Sequence, residues 1–372
     1  MNNDSLFEVP LRPEWAARLL SWYRANRRDL PWRVQPDPYR IWISEIMGQQ
    51  TRMNVLVPYF ERFVERLPTL SDLARVDDDT LFKLWEGLGY YRRAANMKKA
   101  AAIVIERYGG ILPADPDVLM TLPGIGPYTA GAIVSIAFGR PAPAVDGNVR
   151  RVVARLFGIE GASADAAVHA RVAAIVRAHI PADAAGDFTQ ALMELGALVC
   201  LPNGLPKCSS CPGAEDCIAL ARGWIGAIPA KAAEKARRVE RMTVFVIRST
   251  GGFLLAKRPE TGLLAGLWGL PSASGHLDEA AVRRWAEEVP VDVAAAVRLA
   301  SRTHVFTHVV WDMDAWLLEA GEAVPESAGT CFTLEEIIRS KSVPTAFRPF
   351  LAEAAELRSS DSPRRDPTSD LE

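Results

Sequence analysis

No apolar run in this chain approaches the ~18 residues that a membrane-crossing helix needs, so no membrane span is expected. Met1–Pro10 holds neither a basic n-region nor an apolar h-region, and no signal peptide is expected either. Both absences point to a reducing cytoplasm, where thiols stay free for metal rather than pairing as disulfides. Strong net charge is missing as well: 43 Lys and Arg against 45 Asp and Glu leave −2. That balance excludes a uniformly basic nucleic-acid binder but not one whose cations are grouped. Lysine is absent between Lys99 and Lys207, which removes any amine nucleophile from that stretch. Cysteine is scarce, with five in 372 residues.

Four of those five lie together. Cys200, Cys208, Cys211 and Cys217 read C-x7-C-x2-C-x5-C, the fifth being Cys331. Zinc favours two paired Cys-x2-Cys arms, whereas one x2 step flanked by longer intervals suits four thiolates around an iron–sulfur cube. Disulfides remain the alternative, disfavoured by the lack of any secretion signal. The cations are grouped too: Arg92, Arg93, Lys98 and Lys99; Arg150, Arg151 and Arg155; and six between Arg222 and Arg241. Each group reads as a solvated helix face or, less often, a phosphate site.

The 49% hydrophobic content supports cores for two domains. From Trp15 to about Ala221 apolar residues recur at helical spacing, over 43–57, 80–87, 91–108, 128–138, 147–157, 166–180 and 187–200. No strong strand pattern precedes residue 240. Residues 223–240 read as a linker. Strands are expected at 243–248 and 253–256 around the turn Gly251-Gly252, then near 302–308 and 314–318. Helices are expected at 278–287 and 348–355, and a disordered tail from 359. An all-helical domain is thus followed by a smaller mixed one.

Three segments carry polar chemistry. Leu122-Pro123-Gly124-Ile125-Gly126 opens a helix near Pro127, as a phosphate cradle or a tight helix–helix turn. Asp146 stands where a helix begins, so capping and chemistry are both open to it. Glu45 lies among apolar neighbours in Ser44-Glu45-Ile46-Met47, where burial raises a carboxyl pKa and makes it a candidate acid. Gln49, Gln50 and Thr51 follow as a polar patch.

Taken with Leu30-Pro31-Trp32-Arg33, Gly87-Leu88-Gly89-Tyr90-Tyr91, Val145-Asp146-Gly147-Asn148 and Leu195-Gly196-Ala197, these segments resemble the helix–hairpin–helix DNA glycosylases of the endonuclease III superfamily. Within it they are most similar to the MutY family of adenine glycosylases, over most of residues 15–222. Residues 241–356 resemble that family's Nudix-like C-terminal domain, through 253–259, Gly262 and Gly266-Leu267-Trp268-Gly269-Leu270-Pro271.

The resemblance implies a multidomain fold: an all-α helix–hairpin–helix glycosylase domain (8–222) with an iron–sulfur cluster loop (200–217), a linker (223–240), an α+β Nudix-like 8-oxoguanine recognition domain (241–358) and a disordered tail (359–372). It implies one 4Fe–4S cluster on Cys200, Cys208, Cys211 and Cys217. It implies a monomeric, nucleoid-associated enzyme acting on double-stranded DNA with 8-oxoguanine:adenine or guanine:adenine mismatches. Glu45 would protonate the adenine and Asp146 would face the oxocarbenium-like sugar, supported by Tyr128 and Asn148. Tyr128 stands where bifunctional relatives carry lysine, so a monofunctional hydrolase is implied. Trp32, Arg33 and Glu194 would line the adenine pocket. Gln50, Thr51, Leu88 and Tyr90 would wedge beside 8-oxoguanine, and Gly124 and Gly126 would meet the DNA backbone. Phe306, Thr307 and His308 would read 8-oxoguanine. Only Glu279, Glu287 and Glu288 follow Pro271 before the next strand, too few and misplaced for a magnesium-binding Nudix helix, so that domain binds rather than hydrolyses. Three departures stand out: Gly48 for leucine, Thr307 for serine, and the x7 first cysteine interval.

Overall fold

A computed structural model of the chain describes residues 14–34, 36–162, 165–230, 236–289, 291–321 and 324–357. The expected tail 359–372 and residues 231–235 of the expected linker lie outside them. The described contacts divide into two compact units. One is made from Met1–Val76 and Ala95–Glu234, the other from Asp77–Ala94 and Lys235–Glu372. No helix among the described residues is long and apolar enough to cross a membrane.

The first unit is helical, and short polar side chains set where its helices begin. Asp37 accepts from Arg40 N at 3.0 Å just ahead of Pro38, starting the helix Pro38–Gly48. Thr69 and Asp72 close a reciprocal capping box on Leu70–Arg75. Asp146 accepts from Val149 N at 2.7 Å and starts Gly147–Leu156. The helices Glu14–Asn26, Gly147–Leu156, Ala166–His179 and Ala185–Leu198 then share one core of Trp15, Leu19, Tyr23, Val149, Val172, Phe188 and Leu192. Each such side chain contributes about 1.5–3 kcal/mol when taken fully out of water. A Cβ added at Gly196 would fall 2.5 Å from Asn148 Cβ, so glycine there lets two of these helices touch.

One expectation about helices is corrected. The stretch 43–57 is not continuous: it breaks after Gly48, Gln50 turns to φ 59°, and a new helix runs Met53–Arg66. The apolar period carries across the break because each helix buries an apolar face, Ile43, Ile46 and Met47 on one and Leu56, Phe60 and Phe63 on the other, so periodicity alone hides it. The stretch 128–138 is helical as expected, the α-helix Pro127–Ala132 running on into a π-helical turn, Ile133–Ala137.

The second unit is built on a mixed sheet. Its strands are β1 Arg238–Ser249, β2 Gly252–Lys257, β3 Trp268–Gly269, β4 Ser272–Ser274, β5 Val293–Val305, β6 Val309–Ala320 and β7 Thr330–Phe332. The main order is β3-β2-β1-β6-β5, with β4 beside β1 and β7 beside β2. β1 runs parallel to β6 from Arg238 onward, and this ladder carries the strand five residues upstream of the apolar pattern at Thr243. Alternation along β1 sends Val244 and Val246 into one core and Phe245 and Ile247 into another, so both sheet faces are covered. The helix Arg348–Glu356 supplies Phe350 and Leu351 to the first, and Glu279–Glu288 supplies Val282 and Trp285 to the second.

Candidate active site and cysteine-lined cavity

Glu45 lies on the last-but-one turn of Pro38–Gly48, and Tyr128 is the second residue of Pro127–Ala132. The Tyr128 hydroxyl donates a short hydrogen bond to Glu45 Oε2. Burial, with the negative charge of Glu45 next to it, pushes the phenol well above its ordinary range, so it stays a donor. Burial is also the largest influence on Glu45. The nearby charge of Asp146 adds to it, the Tyr128 hydrogen bond and Arg33 oppose it, and the carboxyl settles at about 7. Glu45 therefore holds a proton that it can release near neutrality.

Asp146 is fixed by its own helix. One oxygen takes Val149 N, and the other takes Asn148 Nδ2 at 2.8 Å. Burial raises its pKa against these donors and Arg151. Capping and chemistry, open alternatives in the sequence, are compatible: the cap leaves a carboxylate anchored at one angle beside Glu45. The structure thus brings Glu45, Tyr128, Asp146 and Asn148 into one constellation.

Arg150, Arg151 and Arg155 do not form a single solvated face. Four-residue spacing puts Arg151 and Arg155 on the packed side of their helix, where they are 8% and 5% exposed. Arg151 donates to Asn148 Oδ1 (2.9 Å), Gly196 O (2.8 Å) and Cys200 O (2.7 Å). Arg155 donates to Ile228 O (2.8 Å), Leu201 O (2.9 Å) and Cys200 Sγ (3.3 Å). They satisfy carbonyls that a buried loop would otherwise leave unpaired.

Glu194 is 1% exposed and has its oxygens engaged. Arg28 reaches it through its backbone N (2.8 Å), Nε (2.8 Å) and Nη2 (2.6 Å), and Arg33 through Nη1 and Nη2 at 3.3 Å each. Burial alone would raise this carboxyl, but the two guanidinium groups outweigh it and hold it at about 2. Arg33 also bonds Gln190 Oε1 at 2.9 Å, and Trp32 is buried edge-on to Phe60. Nothing in the sequence neighbourhood of Arg28 marks its partner, 166 residues away.

Of the residues expected at the opposite strand, Gln50 is exposed in its left-handed turn and Thr51 is half-buried. In the other unit Leu88 is only 9% exposed, while Tyr90 is 47% exposed with φ 48°. The Tyr90 hydroxyl meets Thr307 Oγ1 at 2.6 Å. Phe306 packs edge-on to Trp311 and His304, and His308 is exposed. Gly124 has φ 79°, and a Cβ there would lie 2.8 Å from Asn96 Cβ, so both conformation and space require glycine. Gly126 caps the following helix.

The four clustered cysteines line one cavity with Val152, Arg155 and Ile225. Short 3-10 turns at Cys208–Ser210 and Ala214–Asp216 shape the loop. Arg18 secures it from outside through Pro212 O at 3.2 Å and an ion pair to Asp216. Burial pushes the Cys211 thiol up to about 11 and raises Cys217. Among the described residues no three Cys, His, Asp or Glu converge as a single ion would require.

Residues 43–195 match the family model for HhH-GPD superfamily base excision DNA repair proteins, and 243–353 match a NUDIX domain model. An adenine DNA glycosylase of Buchnera aphidicola (subsp. Acyrthosiphon pisum) is 34% identical, covering 81% of this chain and 85% of the relative. The adenine DNA glycosylase of Homo sapiens is 33% identical, covering 89% and 72%. The chain belongs to the adenine DNA glycosylase family. A solved thermostable thymine-DNA glycosylase superposes with a TM-score of 0.51 at 30% identity, covering 56% of this chain and 95% of that one. The expected multidomain class therefore holds for this adenine glycosylase family member: an HhH-GPD helical part, then a Nudix-like part containing a sheet.

Proposed function

We propose that this chain hydrolyses the glycosidic bond of adenine paired with 8-oxoguanine or guanine in duplex DNA, releasing free adenine and an abasic site. The observation that carries this reading is Glu45 held near pKa 7 beside a helix-anchored Asp146. Adenine is a poor leaving group as an anion. A proton passed from Glu45 to its five-membered ring lets it depart neutral. The electron deficiency left on the sugar faces Asp146, whose carboxylate stabilises the oxocarbenium-like state or closes on it transiently. Water then completes the hydrolysis, and Tyr128 and Asn148 hold the two carboxyls at their angles. No amine stands at residue 128, so no Schiff base forms. The target base leaves the stack first, at a cost of a few kcal/mol that is smallest at a mismatch.

A 4Fe–4S cluster fits Cys200, Cys208, Cys211 and Cys217. They surround a cavity instead of converging on one point. A single tetrahedral zinc with bonds of about 2.3 Å would draw its sulfurs to about 3.8 Å apart, whereas a four-iron cube spreads them. The bound group would cross-link this loop, and no step of the excision passes through it. Phe306, Thr307 and His308 of the Nudix-like domain, with Tyr90, form the reading surface for the opposite base. The whole is a monomer acting on one lesion.

Strand-resolved single-turnover excision on duplexes carrying 8-oxoguanine:adenine, guanine:adenine and thymine:adenine tests the proposal. Alkali-labile sites at the adenine of the first two, and not of the third, are expected. Absence of cleavage in all three, or full activity in Glu45→Gln, refutes it.

A further inference from the structure

Residues 77–94 lie inside the stretch that matches the glycosylase family model, yet they cluster with the Nudix-like unit. The helix Asp78–Trp85 meets that unit through its first turn. Asp79 Oδ2 takes Lys341 Nζ at 2.7 Å, and Oδ1 takes Lys257 Nζ at 3.3 Å and Trp268 Nε1 at 3.0 Å. The two ammonium groups lie 5.2 Å from the Trp268 ring centroid, so one carboxylate balances two cations held on one indole. Glu86 adds an ion pair with Arg348 at the other end of the helix.

From that end the chain is held rigidly as far as Tyr90. Gly87 and Gly89 take positive φ of 100° and 69°, and Tyr90 follows at 48°. Trp85 Nε1 donates to Gly89 O at 3.0 Å, and Arg93 Nη2 donates to Leu88 O and Gly89 O at 3.1 and 3.2 Å. A left-handed tyrosine persists only where its surroundings over-determine it. Helix and turn therefore form one stiff piece with Asp79 at its foot and the Tyr90–Thr307 contact at its head.

The geometry points to Asp79 as a positioning residue for recognition of the base opposite the target adenine. It fastens this piece to the Nudix-like body and so fixes Tyr90 against Thr307. The inference rests on the reading of Tyr90 and Thr307 as part of the 8-oxoguanine surface. Asp79 touches neither base nor sugar, so it acts on discrimination and not on excision.

The test uses the full chain and duplexes with 8-oxoguanine or guanine opposite 2′-fluoro-2′-deoxyadenosine, which resists cleavage. In Asp79→Asn the preference for the 8-oxoguanine duplex is expected to fall about fivefold or more, with single-turnover excision at saturation unchanged within about twofold. Lys341→Met should give a similar loss, and the double variant no more than either single. Equal weakening on both duplexes, or additive losses, overturns the inference. Hydrogen exchange on the DNA-free protein separates the clamp from the function. Asp79→Asn should speed exchange in 78–94 and 305–309 alone, and unchanged exchange there overturns the clamp. A native chain that binds the two duplexes equally refutes the 8-oxoguanine reading, and with it the role of Asp79 in discrimination.

Discussion

Glu45→Gln should stabilise the protein while silencing it, and the gain should depend on pH. The glutamine keeps an oxygen to accept from Tyr128 but carries no charge. Because the folded pKa of Glu45, about 7, exceeds the ordinary 4.5, the native state binds a proton that the unfolded chain has released between those values. Stability of the native protein therefore falls as pH rises from about 4.5 to about 7 and then levels off. Two-state linkage with these values gives a burden of about 0.8 kcal/mol at pH 5 and about 3.3 kcal/mol at pH 8. Solvent reaching the half-buried carboxyl reduces the difference, so the expected widening between the two pH values is about 1–2.5 kcal/mol. Glutamine escapes it entirely. Urea unfolding of the native and Glu45→Gln chains at pH 5 and pH 8, followed by tryptophan fluorescence, reads this directly. A Glu45→Gln advantage that is the same at both pH values would mean that the carboxyl is not charged against its surroundings, and the assignment of Glu45 as a neutral-pH acid would go with it.

Three further outcomes are expected. The saturating single-turnover rate should fall tenfold per pH unit above about 7 as Glu45 loses its proton; Tyr128→Phe removes a bond that lowers that pKa, so the falling limb should move to higher pH. Asp146→Asn keeps a side-chain oxygen for Val149 N but sets an amide N–H against Asn148 Nδ2, so it should abolish excision and lose about 1 kcal/mol in urea unfolding, whereas Asp146→Ala should abolish excision and lose about 0.5–2 kcal/mol with the cap. Cys208→Ser should lose folded yield and duplex affinity together, read by soluble recovery and fluorescence anisotropy; a stable, fully active variant without iron absorbance refutes the structural role given to the cluster.

Local chemistry was the legible part of the sequence. A capping aspartate announces the start of Gly147–Leu156, and an acidic residue among apolar neighbours announces the raised pKa of Glu45. The β1–β2 hairpin is written in its glycines and the strands around them, although the turn falls on Thr250-Gly251, one residue before the expected Gly251-Gly252, because Gly252 already pairs with Ser249. What the sequence hid depends on contacts between distant segments. The arginines of Gly147–Leu156 look like a surface group until the Cys200 loop packs over them. Glu194 looks like a free pocket residue until Arg28 closes on it. The parallel β1–β6 ladder is invisible because periodicity reports which face a strand buries and not which strand lies beside it.

The excursion of 77–94 into the second unit bears on how the chain is made. Lys257, Lys341 and Arg348 cannot meet Asp79 and Glu86 until they have been synthesised. At ribosomal speeds of about 5–20 residues per second, Lys341 follows Asp79 by roughly 13–50 seconds. The amino-terminal half thus spends much of its birth with one segment waiting for its seat. That interval is when a chaperone binding exposed tryptophan and leucine would meet it, and any premature stop before residue 341 leaves the segment without its anchor.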